Sequence, residues 1–181
     1  MGEWTKEPDK VEWVRYGLPC LIIRSPTGAL NGYVGVFPGH PCYGLKYDDI
    51  HNNVHGGLTF ADFGGGEYIS HYQAQNAYFI GFDCAHAGDI IPLLLSYQHI
   101  GITKDASGKK FPPYPTSDTY KNVEYVKLQV EKLASEFADL KCLICKHKYK
   151  SHSLGVCKIT KTGRKICDCR KYHSVYKIMK D

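Results

Sequence analysis

Apolar residues along this chain fall in short runs broken by glycine, proline and polar residues, and the runs follow two periods. Residues 20–24 (CLIIR) and 33–37 (YVGVF) are compact, β-branched and aromatic, which predicts strands. Between them Ser25-Pro26-Thr27-Gly28 places Pro and Gly where a turn wants them, so the two runs predict a hairpin. Residues 58–61 predict a further short strand. Residues 78–83 (YFIGFD) predict another, apolar enough to be central. The period then changes. Val123, Val126, Val130, Leu133, Phe137 and Leu140 recur at steps of three and four, one face of a long helix, with Ser117, Asp118 and Thr119 ahead of it as capping candidates.

The intervening stretches are polar or rich in turn residues. Residues 1–19 predict a polar arm leading into Trp13-Val14-Arg15-Tyr16-Gly17. Residues 38–57 (PGHPCYGLKYDDIHNNVHGG) are too long for a simple connector, and long ordered loops are often functional. Gly64-Gly65-Gly66 predicts a flexible turn, and a second Gly/Pro-rich stretch spans 101–118. The longest apolar run, residues 90–95, is short and carries Pro92, so no membrane span is expected. The expected architecture is α+β: a small, mainly antiparallel sheet packed by one long helix over residues 1–140, then a small zinc-binding module over residues 141–181.

Charge separates the same two parts. Residues 1–140 carry 11 Lys/Arg against 16 Asp/Glu, and residues 141–181 carry 12 against 2, so a net −5 precedes a net +10. A basic tail favours an acidic partner, either a protein face or nucleic acid, although a solvated basic surface is the plainer alternative. The polar start MGEWTKEPDK does not read as a signal peptide, and the expected location is the cytoplasm.

Cysteine distribution sharpens the picture of the tail. Cys20, Cys42 and Cys84 are scattered, whereas Cys142, Cys145, Cys157, Cys167 and Cys169 crowd together with His147, His152 and His173 interleaved. Cys142-x-x-Cys145 is the spacing that wraps tetrahedral zinc. Cys142, Cys145, Cys157 and one of Cys167 or Cys169 are the expected ligands, with His152 the leading substitute. A mostly thiolate set points to structural zinc, which contributes on the order of 10 kcal/mol to the folding of so short a segment. Residues 158–166 predict a hairpin turning at Thr162-Gly163. The segment resembles short zinc-ribbon-like tails of pattern C-x-x-C-x-H-x4-H…C…C-x-C-x-x-[FY], found in bacterial and phage proteins, with Tyr172 at the final aromatic position. The nine residues between Cys157 and Cys167 exceed the usual gap of that pattern.

Candidate chemistry in the first part gathers in two clusters. One holds Asp48, Asp49, His55, Gly56, Gly57 and Thr59, downstream of His40; the other holds Asp83, Cys84, His86 and Asp89. Small residues around each allow close approach of a ligand to the backbone. Carboxylates beside histidine at a strand end can hold a divalent cation or act as an acid/base pair. The plainer reading is that these groups cap turns and helix starts. The two clusters together favour a shared pocket, with Asp83, His86, Asp89, His55 and Asp49 as candidate catalytic residues. Asp48, Gly56, Gly57, Thr59 and His40 are the candidate ligand-binding residues, and a second divalent metal is expected near Asp83 and His86. Cys84 lies two residues from His86, but nothing else supports a thiol enzyme.

The strings GYVGVFPGHPCYG, YDDIHNNVHGGLTFA and FIGFDCAHAGD, followed by KNVEYVKLQVEKLASEFAD, resemble those of a family of small, uncharacterised phage and bacterial proteins. The resemblance covers roughly residues 13–139. It implies a phage-type accessory protein and retention of Asp49, His55, Gly56, Gly57, Asp83, His86 and Asp89, without implying a particular activity. Three functions follow as expectations. The first is a protein, of the kind that counters host defence, binding a small polar or nucleotide-derived ligand in the Asp/His pocket and docking a partner through its zinc module. The second is a metal-assisted hydrolase of a phosphoester or nucleotide. The third is a nucleic-acid adaptor.

Overall fold

A computed structural model describes residues 2–63, 77–101, 104–110, 117–141, 146 and 148, together with the backbone of four two-residue strands between 152 and 165. Five strands form one antiparallel sheet: β1 (Lys10–Arg15), β2 (Leu18–Arg24), β3 (Leu30–Val36), β4 (Phe60–Phe63) and β5 (Tyr78–Asp83). Their order across the sheet is β1-β2-β3-β5-β4. The Ser25–Gly28 turn joins β2 to β3 with Arg24 opposite Leu30, closed by Gly28 N–H on the Ser25 carbonyl (2.9 Å). β5 lies between β3 and β4 as its apolar run predicts.

Two helices accompany the sheet, α1 (Pro92–His99) and α2 (Val123–Asp139). α2 lies across β2 and β3. Val126, Val130, Leu133 and Phe137 of its inner face are buried with Cys20, Ile22, Val34, Ile80 and Phe82. On the opposite sheet face Leu21, Ile23 and Phe79 pack with Phe37 and Ala77. Burial on both faces explains why β2 and β5 read as continuous apolar runs rather than as alternating ones. Gly32 makes the helix–sheet contact this close. A Cβ there would stand 2.6 Å from both Val130 Cγ2 and Phe82 Cζ.

Two expectations are corrected. The supposed polar arm contains β1, which pairs with β2 from Lys10 opposite Ile23 to Arg15 opposite Leu18. Exposed positions dominate this edge strand, so its sequence lacks the apolar signature of an inner one. The cap of α2 is not among Ser117, Asp118 and Thr119 but is Asn122, whose side chain accepts from Tyr125 N–H. Thr119 is held instead in an extended bridge with Asp89. The apolar run at residues 90–95 enters α1, with Pro92 in the first turn, where its missing N–H costs nothing.

Among the described residues no helix is long and apolar enough to cross a membrane. Gly64-Gly65-Gly66 lies outside the described residues, as do Cys142, Cys145, Cys167 and Cys169. In the tail, β6 (His152–Ser153) pairs with β7 (Val156–Cys157), placing His152 opposite Cys157. β8 (Thr160–Lys161) pairs with β9 (Arg164–Lys165), the hairpin expected around residues 162–163.

Candidate metal centre

Three stretches distant in sequence meet at the N-terminal end of α2. The first is the end of the long loop after β3, where Val54 accepts from Gly57 N–H (3.2 Å) and presents His55. The second is the turn after β5, residues 84–89. The third is the segment entering α2, fixed against that turn by Thr119 N–H on the Gly88 carbonyl and Ile90 N–H on the Thr119 carbonyl, both 3.0 Å.

Asp89 is the hub. It is 3% exposed, so its carboxylate needs partners to offset lost solvation. Its Oδ2 accepts from His86 N–H (3.0 Å) and lies 2.8 Å from His55 Nε2. Its Oδ1 is 3.5 Å from Lys121 Nζ. Lys121 also donates to Thr119 Oγ1 and stands 5.4 Å from the Tyr125 ring centroid. The other ring nitrogen of His55, Nδ1, is 3.0 Å from the Tyr125 hydroxyl. Burial, with Cys84 and Asp89 nearby, pushes the Tyr125 phenol above its usual range.

His86 completes the group. Its ring packs edge-on to His55 at 5.5 Å between centroids. Its Nδ1 is buried without a hydrogen-bond partner, 3.7 Å from Asp89 Oδ2 and 3.8 Å from Asp83 Oδ1. One ligand atom each from His55, His86 and Asp89 lies within 4.8 Å of the others, a set that could hold a metal ion. A tetrahedral ion with bonds near 2.0–2.1 Å holds its ligand atoms about 3.3 Å apart. The 2.8 Å and 3.7 Å separations from Asp89 Oδ2 to His55 Nε2 and His86 Nδ1 bracket that spacing.

Gly56 makes room for the arrangement. Its φ is +64°, and a Cβ would fall 2.2 Å from His86 Cε1 and 2.4 Å from Nδ1, far inside contact distance of the imidazole ring. No other residue type leaves that ring where it is.

The candidate residues separate in space. His55, His86 and Asp89 come together, with Asp83 beside them; the Asp83 Oδ1 also accepts from Ala85 N–H (3.0 Å) in a local turn. Gly57 forms the His55 turn, and Thr59 N–H bonds the Gly81 carbonyl (2.9 Å). His40 belongs elsewhere. Fully buried, it receives Cys42 N–H at Nδ1 (3.1 Å) and directs Nε2 at the Phe137 carbonyl (3.2 Å), bracing the far end of α2. Asp48 and Asp49 sit exposed in a 3-10 turn (Tyr47–Asp49). Asp49 borders a cleft of about 230 Å³ lined by Cys42, Ile50 and Phe137. Tyr125 and Phe137 are twelve residues apart on one helix, about 18 Å along its axis, so His40 and Asp49, near Phe137, lie away from the His55, His86 and Asp89 group near Tyr125.

Lys121, Thr119 and Tyr125 are part of the site although none is prominent in the sequence. Their partners lie 30 to 70 positions away, beyond any local pattern. Cys84 is buried beside the site. Burial first, then the carboxylates of Asp89 and Asp83, push its thiol up to about 12, leaving it protonated at neutral pH.

Comparison with family models, curated proteins and solved structures finds no match.

Proposed function

We propose that the sheet domain is a metal-dependent hydrolase of phosphoesters, with a divalent ion held by His55, His86 and Asp89. The observation that carries this reading is the convergence of three ligand atoms on one point, one of which, His86 Nδ1, is buried and otherwise unpartnered. A structural site closes its shell with four protein ligands; three leave a position for water and substrate. Partial exposure of the His55 and His86 side chains, 15% and 31%, keeps that side accessible. Lys121 adds positive charge beside the site, which favours an anionic substrate. Asp83, at the rim, is the candidate proton acceptor. The basic tail, in this proposal, folds around a structural zinc and docks an acidic partner.

The test uses the full chain, stripped of metal and reloaded with Zn²⁺ or Mn²⁺, beside Asp89→Asn. The expected result is one fewer tightly bound ion per chain in the variant. The wild type should hydrolyse p-nitrophenyl phosphate or bis(p-nitrophenyl) phosphate, and the variant should not. Equal stoichiometry in the two proteins would overturn the metal centre. An ion lost in the variant without turnover in the wild type would leave a binding domain, one that holds a small polar or nucleotide-derived ligand against its metal.

A further inference from the structure

The metal reading leaves unexplained the Tyr125 hydroxyl, which meets His55 at Nδ1, the ring nitrogen turned away from Asp89. We infer that Tyr125 is the positioning residue of this centre, holding His55 with Nε2 toward the ion by serving Nδ1 as either donor or acceptor; the inference rests on the metal reading above.

Both ring nitrogens of His55 are engaged, and in a neutral ring the chemistry of their partners sets the proton position. A carboxylate can only accept, so a neutral His55 without metal carries its proton on Nε2 and donates to Asp89 Oδ2 across 2.8 Å. Nδ1 is then a bare acceptor, and the Tyr125 O–H donates to it across 3.0 Å. A metal ion needs the Nε2 lone pair. The proton must therefore leave Nε2, and a neutral ring keeps it on Nδ1. Nδ1–H then requires an acceptor in the same place, and a phenol oxygen serves without moving. Tyrosine is suited to this because its hydroxyl can donate or accept, where a carboxylate or an ammonium could do only one. The Tyr125 backbone is pinned as well, its N–H bonded to Asn122 Oδ1 (2.9 Å) in the first turn of α2. The helix start therefore positions the hydroxyl, and the hydroxyl positions the imidazole, as outer-shell partners of metal-bound histidines do.

The experiment compares full-length wild type with Tyr125→Phe, measuring Zn²⁺ affinity at the Asp89-dependent site and the His55 tautomer by long-range proton–nitrogen correlation spectra. Affinity is expected to fall about 10- to 100-fold in the variant. Metal-free wild type should show His55 protonated on Nε2, and the loaded protein should show it protonated on Nδ1. Metal-free Tyr125→Phe should keep the Nε2–H form, because Asp89 sets it, so a general loss of structure is separable from the loss of positioning. Unchanged affinity in Tyr125→Phe, or a wild-type His55 that keeps its proton on Nε2 when loaded, overturns the role of Tyr125 alone. A wild type with no Asp89-dependent metal removes the metal reading and this inference with it.

Discussion

At the scale of single residues the site depends on one missing side chain. Gly56 lies in the left-handed region, and its Cα faces the His86 ring at a distance no Cβ could tolerate. Gly56→Ala should therefore expel His86 and cost about 1–3 kcal/mol in backbone strain. Calorimetric titration with Zn²⁺ should show loss of the Asp89-dependent site, while circular dichroism shows a folded protein. Retained affinity would mean that His86 is not a ligand. Buried thiols set a second expectation. Cys20 and Cys84 are pushed up to about 12 and Cys42 to about 11, each mainly by burial, from an ordinary value of 9.0. Above about pH 9 the unfolded chain releases these protons while the fold retains them, so stability should fall as pH rises toward 11–12. Below pH 9 both states hold the protons and the contribution is constant. Urea midpoints measured from neutral to alkaline pH should fall less steeply for Cys84→Ala than for wild type.

At the scale of elements, α2 links core and site. Its inner face buries Val130 and Phe137 against the sheet, and its first turn carries Tyr125. Asn122 Oδ1 and Glu7 Oε1 satisfy N–H groups of that turn, those of Tyr125 and Val123 (2.9 and 2.8 Å). Asn122→Ala should lower stability by about 1 kcal/mol in thermal or urea unfolding. It should also weaken metal binding more than an equally destabilising change at the far end of the helix, because only the first turn aims Tyr125. Gly32→Ala, beneath Val130, should cost about 1–3 kcal/mol through overpacking without affecting the site specifically. This division also explains what the sequence made legible. β2, β3, β5 and α2 declare themselves because burial imposes an apolar pattern on them. β1 does not, because an exposed edge strand tolerates polar residues, and neither does the short α1, entered through Pro92. Of the site, Asp83, His86 and Asp89 stand close in one string and are readable there. Their union with His55 depends on loop closure that no local pattern encodes. The contributions of Lys121, just ahead of α2, and of Tyr125, in its first turn, depend on partners set only by the assembled fold. His40 illustrates the reverse case: a histidine in a Gly/Pro-rich loop resembles a ligand on paper, yet its two nitrogens are occupied in the core.

At the scale of the whole molecule, two groups of metal-ligand candidates of opposite chemical character share one chain. The first is nitrogen- and oxygen-rich, with three side chains, His55, His86 and Asp89. The second is sulfur-rich and sits in a segment of net charge +10, where the backbone register sets His152 opposite Cys157. Soft thiolate sites retain zinc against chelators and exclude hard ions, whereas a His/His/Asp site accepts Mn²⁺ as well as Zn²⁺ and exchanges more readily. If both sites form, dialysis of the full chain against a chelator should remove one ion quickly and the other slowly. Asp89→Asn should abolish only the fast phase, and Cys145→Ser only the slow one. Reloading with Mn²⁺ should restore the fast site alone, and any phosphoester turnover should return with it. Loss of both phases in Asp89→Asn would mean instead that the two groups serve one shared centre, and the division of the chain at residue 140 into a reacting part and a docking part would fail.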